Sequence, residues 1–546
     1  MRKLIRIAIL KTSHAGLYLA GNLPDYKEGS ERIYIVDAYG ERTELTPVRA
    51  AAMDTAATED KKAHTGYMYE ITLPLRAGAE YSFVCESGGK KKTLEPRYGK
   101  YSRLTDLDGC YFECPSQHGI LGSTLIVRAK GSTIEISSPN PITRLRMAKS
   151  FEKSLAADAP AEVMKMRKDA TALKKTGKPV WLISDRSDSA SDNGEVLFKY
   201  LMNDTDGTGA RDRYDIRFVI SKDSPDYDRM KAIGPVVESG SYDHKLLYLA
   251  SDLMISSAGD EWVRNPLGAD RRYCRDLIES RFVFLQHGVI MNDLSDWLFK
   301  LKKDLDLFIT SASAEYDSIC GGAYGYDNST VKLTGLARYD EMDNTPHKTI
   351  AILPSWRKYA APSLVPGSSV RPYSEDFKET EYFRFYNKLI NDPSLIAAMK
   401  ESGYTGTFYL HPSHMNQWRD FDGNDTISIW KDLIPFRRVF NENALFVTDY
   451  SSTAIDFAYL GKPVLYAQFD REDFFGAHTL SHGYFDYERD GFGPVCTDYE
   501  STVKGIIEIL KNDCSEPDIY SERVKKFFAY RDRHNCRRIY EELIKL

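Results

Sequence analysis

The sequence is short of the features that carry a chain across or into a membrane. No apolar stretch approaches the ~20 residues that a membrane-spanning helix needs. The opening Met1-Arg-Lys-Leu-Ile-Arg-Ile-Ala-Ile-Leu10 has Arg6 inside its apolar run, which predicts a strand rather than a signal peptide. Only eight cysteines occur in 546 residues, and they are scattered. That argues against a disulfide framework and for a reducing, cytoplasmic setting. Cys110, Cys114 and His118 come closest to a metal cluster, but no fourth ligand accompanies them and no metal is expected. The net charge of −6 offers nucleic acid no broad attraction, so no nucleic-acid partner is expected. A Walker A sequence, a dinucleotide fingerprint and a nucleophile elbow are all missing, which argues against three common enzyme classes.

What is present suffices for large cores. The chain is 42% hydrophobic and 12% aromatic, and its length suits roughly three domains. Residues 1–140 form a β-rich accessory domain, with strand-like runs at 4–9, 32–36, 67–73, 80–84, 124–127 and 133–136 separated by turn formers, a sandwich-like pattern. Residues 141–178 mix Leu145, Met147, Phe151 and Leu155 with Arg144, Arg146, Lys149 and Lys153. They predict a basic helical linker, either packed on the next domain or resting on an anionic membrane surface. From 179 to 345, and again from 346 to 521, short buried-type strands alternate with helical segments, which indicates α/β domains with parallel sheets. The segment 359–373 is rich in Pro, Ser and Gly and predicts a long loop, and 522–546 predicts a helical tail.

Polar groups gather just after the predicted strands, where α/β sheets bind ligands. His287 follows Phe282-Val-Phe-Leu-Gln286 and precedes Gly288; there it is a candidate general base or an ordinary structural histidine. Asp293 and Ser295 follow closely and could orient a substrate hydroxyl. His411 follows Thr407-Phe-Tyr-Leu410 as a candidate donor to a phosphate oxygen, and no carboxylate or cysteine joins His411 and His414 in a metal set. Arg338 and Arg357 are candidate phosphate ligands, since a guanidinium donates in a fork. In Ala444-Leu-Phe-Val-Thr-Asp-Tyr-Ser-Ser-Thr-Ala-Ile-Asp456 a strand runs into a helix start crowded with hydroxyls. Ser451 and Ser452 could bind phosphate there or merely cap the helix. Thr453 with Asp456 approximates a capping box, and Asp449 and Asp456 are secondary candidates for substrate contact.

These pieces together resemble the CDP-glycerol glycerophosphotransferase family, the teichoic-acid polymerases and primases, from about Val180 to the C-terminus. The most specific stretch is Phe446-Val-Thr-Asp-Tyr-Ser-Ser-Thr-Ala-Ile-Asp-Phe-Ala-Tyr-Leu-Gly-Lys-Pro463. Gln286-His-Gly288, Thr334-Gly-Leu-Ala-Arg338, Pro354-Ser-Trp-Arg357, Leu410-His-Pro412, Gly483-Tyr-Phe-Asp-Tyr487 and Asp192-Asn-Gly194 support it in order. The resemblance implies a GT-B-like pair of Rossmann-like domains, 179–345 on the acceptor side and 346–521 on the CDP-donor side. It implies transfer of a polyol phosphate, glycerol phosphate foremost, from CDP-glycerol or CDP-ribitol to a hydroxyl of a lipid-linked, glycan, teichoic-acid-like or capsule primer, with release of CMP. By resemblance His287 deprotonates the acceptor, while His411, Ser451 and Ser452 hold the pyrophosphate with help from Arg338 and Arg357. No cofactor or metal is required, and the work is placed at the cytoplasmic face of the membrane. Gln286 and Val289 stand where family members often carry Trp and Thr. The rival readings are a GT-B glycosyltransferase using a nucleotide sugar and a non-catalytic glycan-binding protein.

Overall fold

Ile5, Ile7 and Ile9 are fully buried while Leu4, Arg6 and Ala8 are partly or wholly exposed, the period-two signature of a strand with one face on a core. This strand, Leu4–Ser13, sits in a five-stranded sheet. It pairs antiparallel with Gly16–Asn22 and parallel with Glu95–Ser102. A second, antiparallel sheet runs in the order Tyr111–Pro115, Thr124–Lys130, Thr133–Ser137, Ala79–Ser87, Glu31–Val36 and Arg42–Leu45, with Lys90–Thr93 added beside Ala79–Ser87. The computed structural model describes residues 3–13, 15–50, 66–115, 124–363, 371–432, 434–477 and 482–546. His118, and the part of the Pro/Ser/Gly-rich segment at 364–370, lie outside the described residues. All eight cysteines are free thiols.

The chain folds as two compact units. The first takes in Met1–Leu285, Ser295–Phe308 and Gly321–Thr330, and the second Gln286–Leu294, Ile309–Cys320 and Val331–Leu546. In the first, the β-rich region is followed by helices Pro141–Ala156 and Ala161–Thr176. Pro141 opens the former at a position where its missing N–H costs nothing, and the Asn140 side chain accepts from Thr143 N–H. A parallel α/β sheet then runs Val236–Glu238, Asp215–Ile220, Val180–Ser184, Leu253–Ser256, Arg281–Phe284 and Leu307–Thr310 in spatial order. The order reverses beside the first strand, as in doubly wound folds.

The second unit carries a six-stranded parallel sheet in the order Ile427–Ile429, Thr405–Phe408, Thr349–Ile352, Leu445–Thr448, Val464–Ala467 and Val495–Cys496. Leu445–Thr448 is buried at every residue, as a central parallel strand covered on both faces must be. Helix Glu381–Ile390 closes one face, burying Tyr382, Phe385, Tyr386, Leu389 and Ile390, a stripe at helical spacing. The long central strands coincide with the runs expected from sequence. Val236–Glu238, Val331–Leu333, Ile427–Ile429 and Val495–Cys496 have only two or three residues each, too few to show a period. Mixed α/β architecture with parallel sheets and an antiparallel N-terminal region is the observed fold.

Candidate functional site

Nine of the ten predicted site residues, all but Ser295, belong to the second unit. His287 stands at the tip of a turn whose flanks are fixed. Its side chain is exposed, but Gln286 and Val289 are buried. Gln286 adopts φ +64°, a left-handed conformation that costs a residue with a Cβ roughly 1–2 kcal/mol. Such strain persists only where neighbours over-determine it. Here they do. Gln286 Nε2 donates to Ile309 O and to Glu315 Oε1, and Ile290 N–H donates to the same oxygen at 2.7 Å. Arg338 Nη1 donates to the carbonyl of His287 itself at 2.8 Å.

Arg338 links this turn to the hydroxyl-rich helix start. Its Nε and Nη2 donate to Asp456 Oδ1 at 2.9 and 2.6 Å, and both side chains are largely buried. A Cβ on Gly288 would lie 3.4 Å from Ser452 Oγ and 3.9 Å from Arg338 Nη2, so His287-Gly288 and Ser452 share one locality. The segment around Arg338 is anchored by the C-terminal helix Asn535–Leu543. Asp340 accepts the N–H groups of Asn535 and Cys536 at 2.9 and 2.7 Å, and Arg538 Nε donates to Thr334 O. Gly483 packs against the loop after His287, since a Cβ there would run into Met291 O.

The helix Thr453–Tyr459 differs from the capping-box expectation. Ser452 is its N-cap and makes no side-chain cap bond; Asp456 is turned to Arg338 instead of back to the helix start. Ser451 Oγ accepts from Thr453 N–H at 3.3 Å and bonds the Thr453 hydroxyl at 2.7 Å. Ser451 and Ser452 are both partly exposed. Asp449 is fully buried: it accepts from Ser355 and Tyr450 N–H and pairs with Arg357 at 2.9 Å. Arg357 is 1% exposed, with Nε and Nη2 on Asp470 at 2.6 and 3.0 Å and Nη1 also on Ser355 O. The fork of Arg357, a candidate phosphate ligand from sequence, thus lies on two buried carboxylates.

His411 caps the 3₁₀ segment Pro412–Asp420, its Nδ1 accepting Ser413 N–H at 3.1 Å. An accepting Nδ1 places the ring proton on Nε2, which makes His411 a hydrogen-bond donor in its neutral form. The Trp356 ring lies beside it, with centroids 6.4 Å apart. His414 is structural. Its Nε2 accepts Arg357 N–H at 3.0 Å, and burial, with His411 and Arg357 adding, lowers its pKa to about 3. Asp293 is exposed, whereas Ser295 is buried as the first residue of helix Ser295–Leu298 in the first unit. Among the described residues no group of three or more His, Cys, Asp or Glu is arranged to hold a metal.

Sequence reasoning passed over Glu315, Asp470 and Asp185. Glu315 is fully buried, and burial pushes its carboxyl up to about 7 against the pull of Ser311, Ile290, Gln286 and Ala312. A Glu at the third position of a helix beside a strand end is the signal that could have found it. Asp185 explains Asp192-Asn-Gly194. Its carboxylate accepts from Asp192, Gly194 and Glu195 N–H and from Ser257 Oγ, so it fills the start of helix Asn193–Asn203. Burial and the neighbouring Asp192 raise its pKa.

The fold defines a mixed α/β protein with parallel sheets and polar groups gathered beside strand ends. The chain belongs to the CDP-glycerol:poly(glycerophosphate) glycerophosphotransferase family, whose model matches residues 165–545. It is 38% identical over 502 residues to the minor teichoic acid biosynthesis protein GgaB of Bacillus subtilis (strain 168), covering 89% of this chain and 53% of GgaB. Over 91 residues it is 33% identical to the teichoic acid poly(glycerol phosphate) polymerase of the same organism, covering 17% of this chain and 12% of that protein. The chain thus spans about half the length of GgaB. Among solved structures, a variant of the wall teichoic acid polymerase TagF is similar at a TM-score of 0.50 and 14% identity, covering 74% of this chain and 98% of the other. That likeness concerns the fold.

Proposed function

We propose that the chain transfers glycerol phosphate from CDP-glycerol to a hydroxyl on a glycan or teichoic-acid-like primer and releases CMP. The observation that carries the reading is the fixed turn presenting exposed His287 beside Ser452 and Arg338, in a chain whose family transfers glycerophosphate. His287 takes the proton of the acceptor hydroxyl. The freed oxygen attacks the phosphorus bearing glycerol, and the bond to the CMP oxygen breaks. Ser451, Ser452 and His411 Nε2–H donate to the phosphate oxygens, where preorganised donors stabilise the charge of the transition state. Arg338 acts on His287 and Asp456 in this scheme, so its guanidinium positions the turn as well as adding positive potential.

The finer readings stand beside it. The two parallel sheets are read as a GT-B-like pair of Rossmann-like domains at 179–345 and 346–521, with a β-rich domain before them and a helical tail after. CDP-ribitol remains the alternative donor, and no cofactor is assigned. Work at the cytoplasmic membrane face is supported by the family and by exposed Ile142 and Leu145 among the basic residues of helix Pro141–Ala156. No helix among the described residues is long and apolar enough to cross a membrane. The test is a donor panel with a lipid-linked primer and mass spectrometry of the product. CMP release with a mass gain of glycerol phosphate supports the reading; UDP or GDP release from sugar donors alone refutes it.

A further inference from the structure

We propose that Glu315 is the positioning residue of His287, one carboxylate oxygen fixing the turn and the other fixing the helix that carries the carboxylate. The inference rests on the reading of His287 as general base. Glu315 lies on helix Ser313–Ile319. Its Oε2 accepts Ser311 N–H at 2.8 Å and Ala312 N–H at 3.4 Å, satisfying donors at the start of its own helix as a capping glutamate does. Oε1 does something a cap does not require. It accepts Gln286 Nε2 at 3.1 Å and Ile290 N–H at 2.7 Å, and these groups belong to the residue before His287 and the third residue after it.

The turn needs such a clasp. Gln286 holds a left-handed φ of +64°, and nothing in its own covalent chemistry favours that state. Its amide is fastened to Ile309 O and to Glu315, so the strain is maintained by side chain rather than by glycine. Arg338 holds the middle of the turn by the His287 carbonyl. Three points therefore fix the turn, the side chain of Gln286 and the backbone at 287 and 290, while His287 is the exposed residue of 286–290. A base fixed this way keeps its near-attack geometry, and loosening it by ~1 Å typically costs on the order of 10²-fold.

The experiment uses the full chain as native protein, Glu315→Gln, His287→Ala and the double variant. Initial rates of CMP release are measured with varied CDP-glycerol, and histidine ring resonances are followed by NMR without substrate. Glu315→Gln keeps the volume of the side chain but turns an NH₂ group toward N–H donors. The expected result is a fall in kcat of about 10- to 100-fold with KM for CDP-glycerol within about twofold. The same change adds no further loss to His287→Ala, because coupled residues are not additive. The His287 ring resonance shifts or broadens. Equal losses in both backgrounds, or a rise in KM with the His287 resonance unmoved, would overturn the proposal. Should Glu315→Gln fail to fold, Gln286→Met removes one arm of the clasp and must give the same pattern. If native protein releases no CMP from any CDP-polyol, the functional reading fails, and the NMR arm alone decides whether Glu315 sets the His287 ring.

Discussion

Two aspartates follow buried strands, and the chain uses them in opposite ways. Asp185 comes after Val180–Ser184 and turns forward, accepting three N–H groups around the start of the next helix and the Ser257 hydroxyl. That helix terminus is neutralised from within. Asp449 comes after Leu445–Thr448 and turns back, to Ser355 N–H and the guanidinium of Arg357. The following helix start is left to the hydroxyls of Ser451, Ser452 and Thr453. A helix terminus occupied by its own carboxylate repels a phosphate; one lined with partly exposed hydroxyls and free of a carboxylate cap can receive it. The deciding residue is Arg357, which gives Asp449 somewhere else to go.

The comparison can be broken at several points, and the largest effect is expected at the reacting group. His287→Ala should lower kcat by about 10²- to 10⁴-fold, with the melting temperature held because the imidazole is exposed; CMP-release rates and a thermal melt check both. Next comes Arg357→Met. It strands Asp449 and Asp470 as buried charges and should cost about 3–5 kcal/mol of stability, measured by urea unfolding. Asp185→Ala should cost about 1–3 kcal/mol by leaving N–H groups unsatisfied, yet leave CDP-glycerol affinity unchanged. A loss of donor affinity from Asp185→Ala would mean that the first terminus, not the second, serves the donor.

The smallest effect is in pH. His414 is neutral when folded, its pKa lowered to about 3 chiefly by burial, whereas the unfolded chain takes up that proton near 6.5. The stabilisation is therefore complete above about pH 6.5 and is lost as pH falls toward 3, at up to about 1.4 kcal/mol per unit. His244 in the first unit, lowered to about 4 by burial, behaves alike. The difference in unfolding free energy between native protein and His414→Leu at pH 7.5 and 5.5 isolates the His414 share. The lost bond to Arg357 N–H is an offset that pH does not alter.

Much of this was legible in the sequence because it is local. Strand Leu445–Thr448 announces itself as an apolar run, and His287, His411, Ser451 and Ser452 follow strand ends in plain order. What stayed hidden depends on partners distant in the chain. Arg357 has the same chemistry as a phosphate ligand, and only the fold shows Asp470 and Asp449 closing on it. Asp456 sits at a capping distance from Thr453, but Arg338 outbids the helix start with a charged fork. Glu315 shows in the sequence only as a helix-start glutamate, since half of its role is toward a turn some 25 residues earlier. The two- and three-residue edge strands carry no period to detect.

The most direct measurement is calorimetric titration of CDP-glycerol into Ser451→Ala with Ser452→Ala, run beside a thermal melt. The Kd is expected to rise by about tenfold or more, equivalent to at least about 1.4 kcal/mol, with the melting temperature nearly unmoved. An unchanged Kd with a lowered melting temperature would contradict that expectation and leave the helix start as a cap alone.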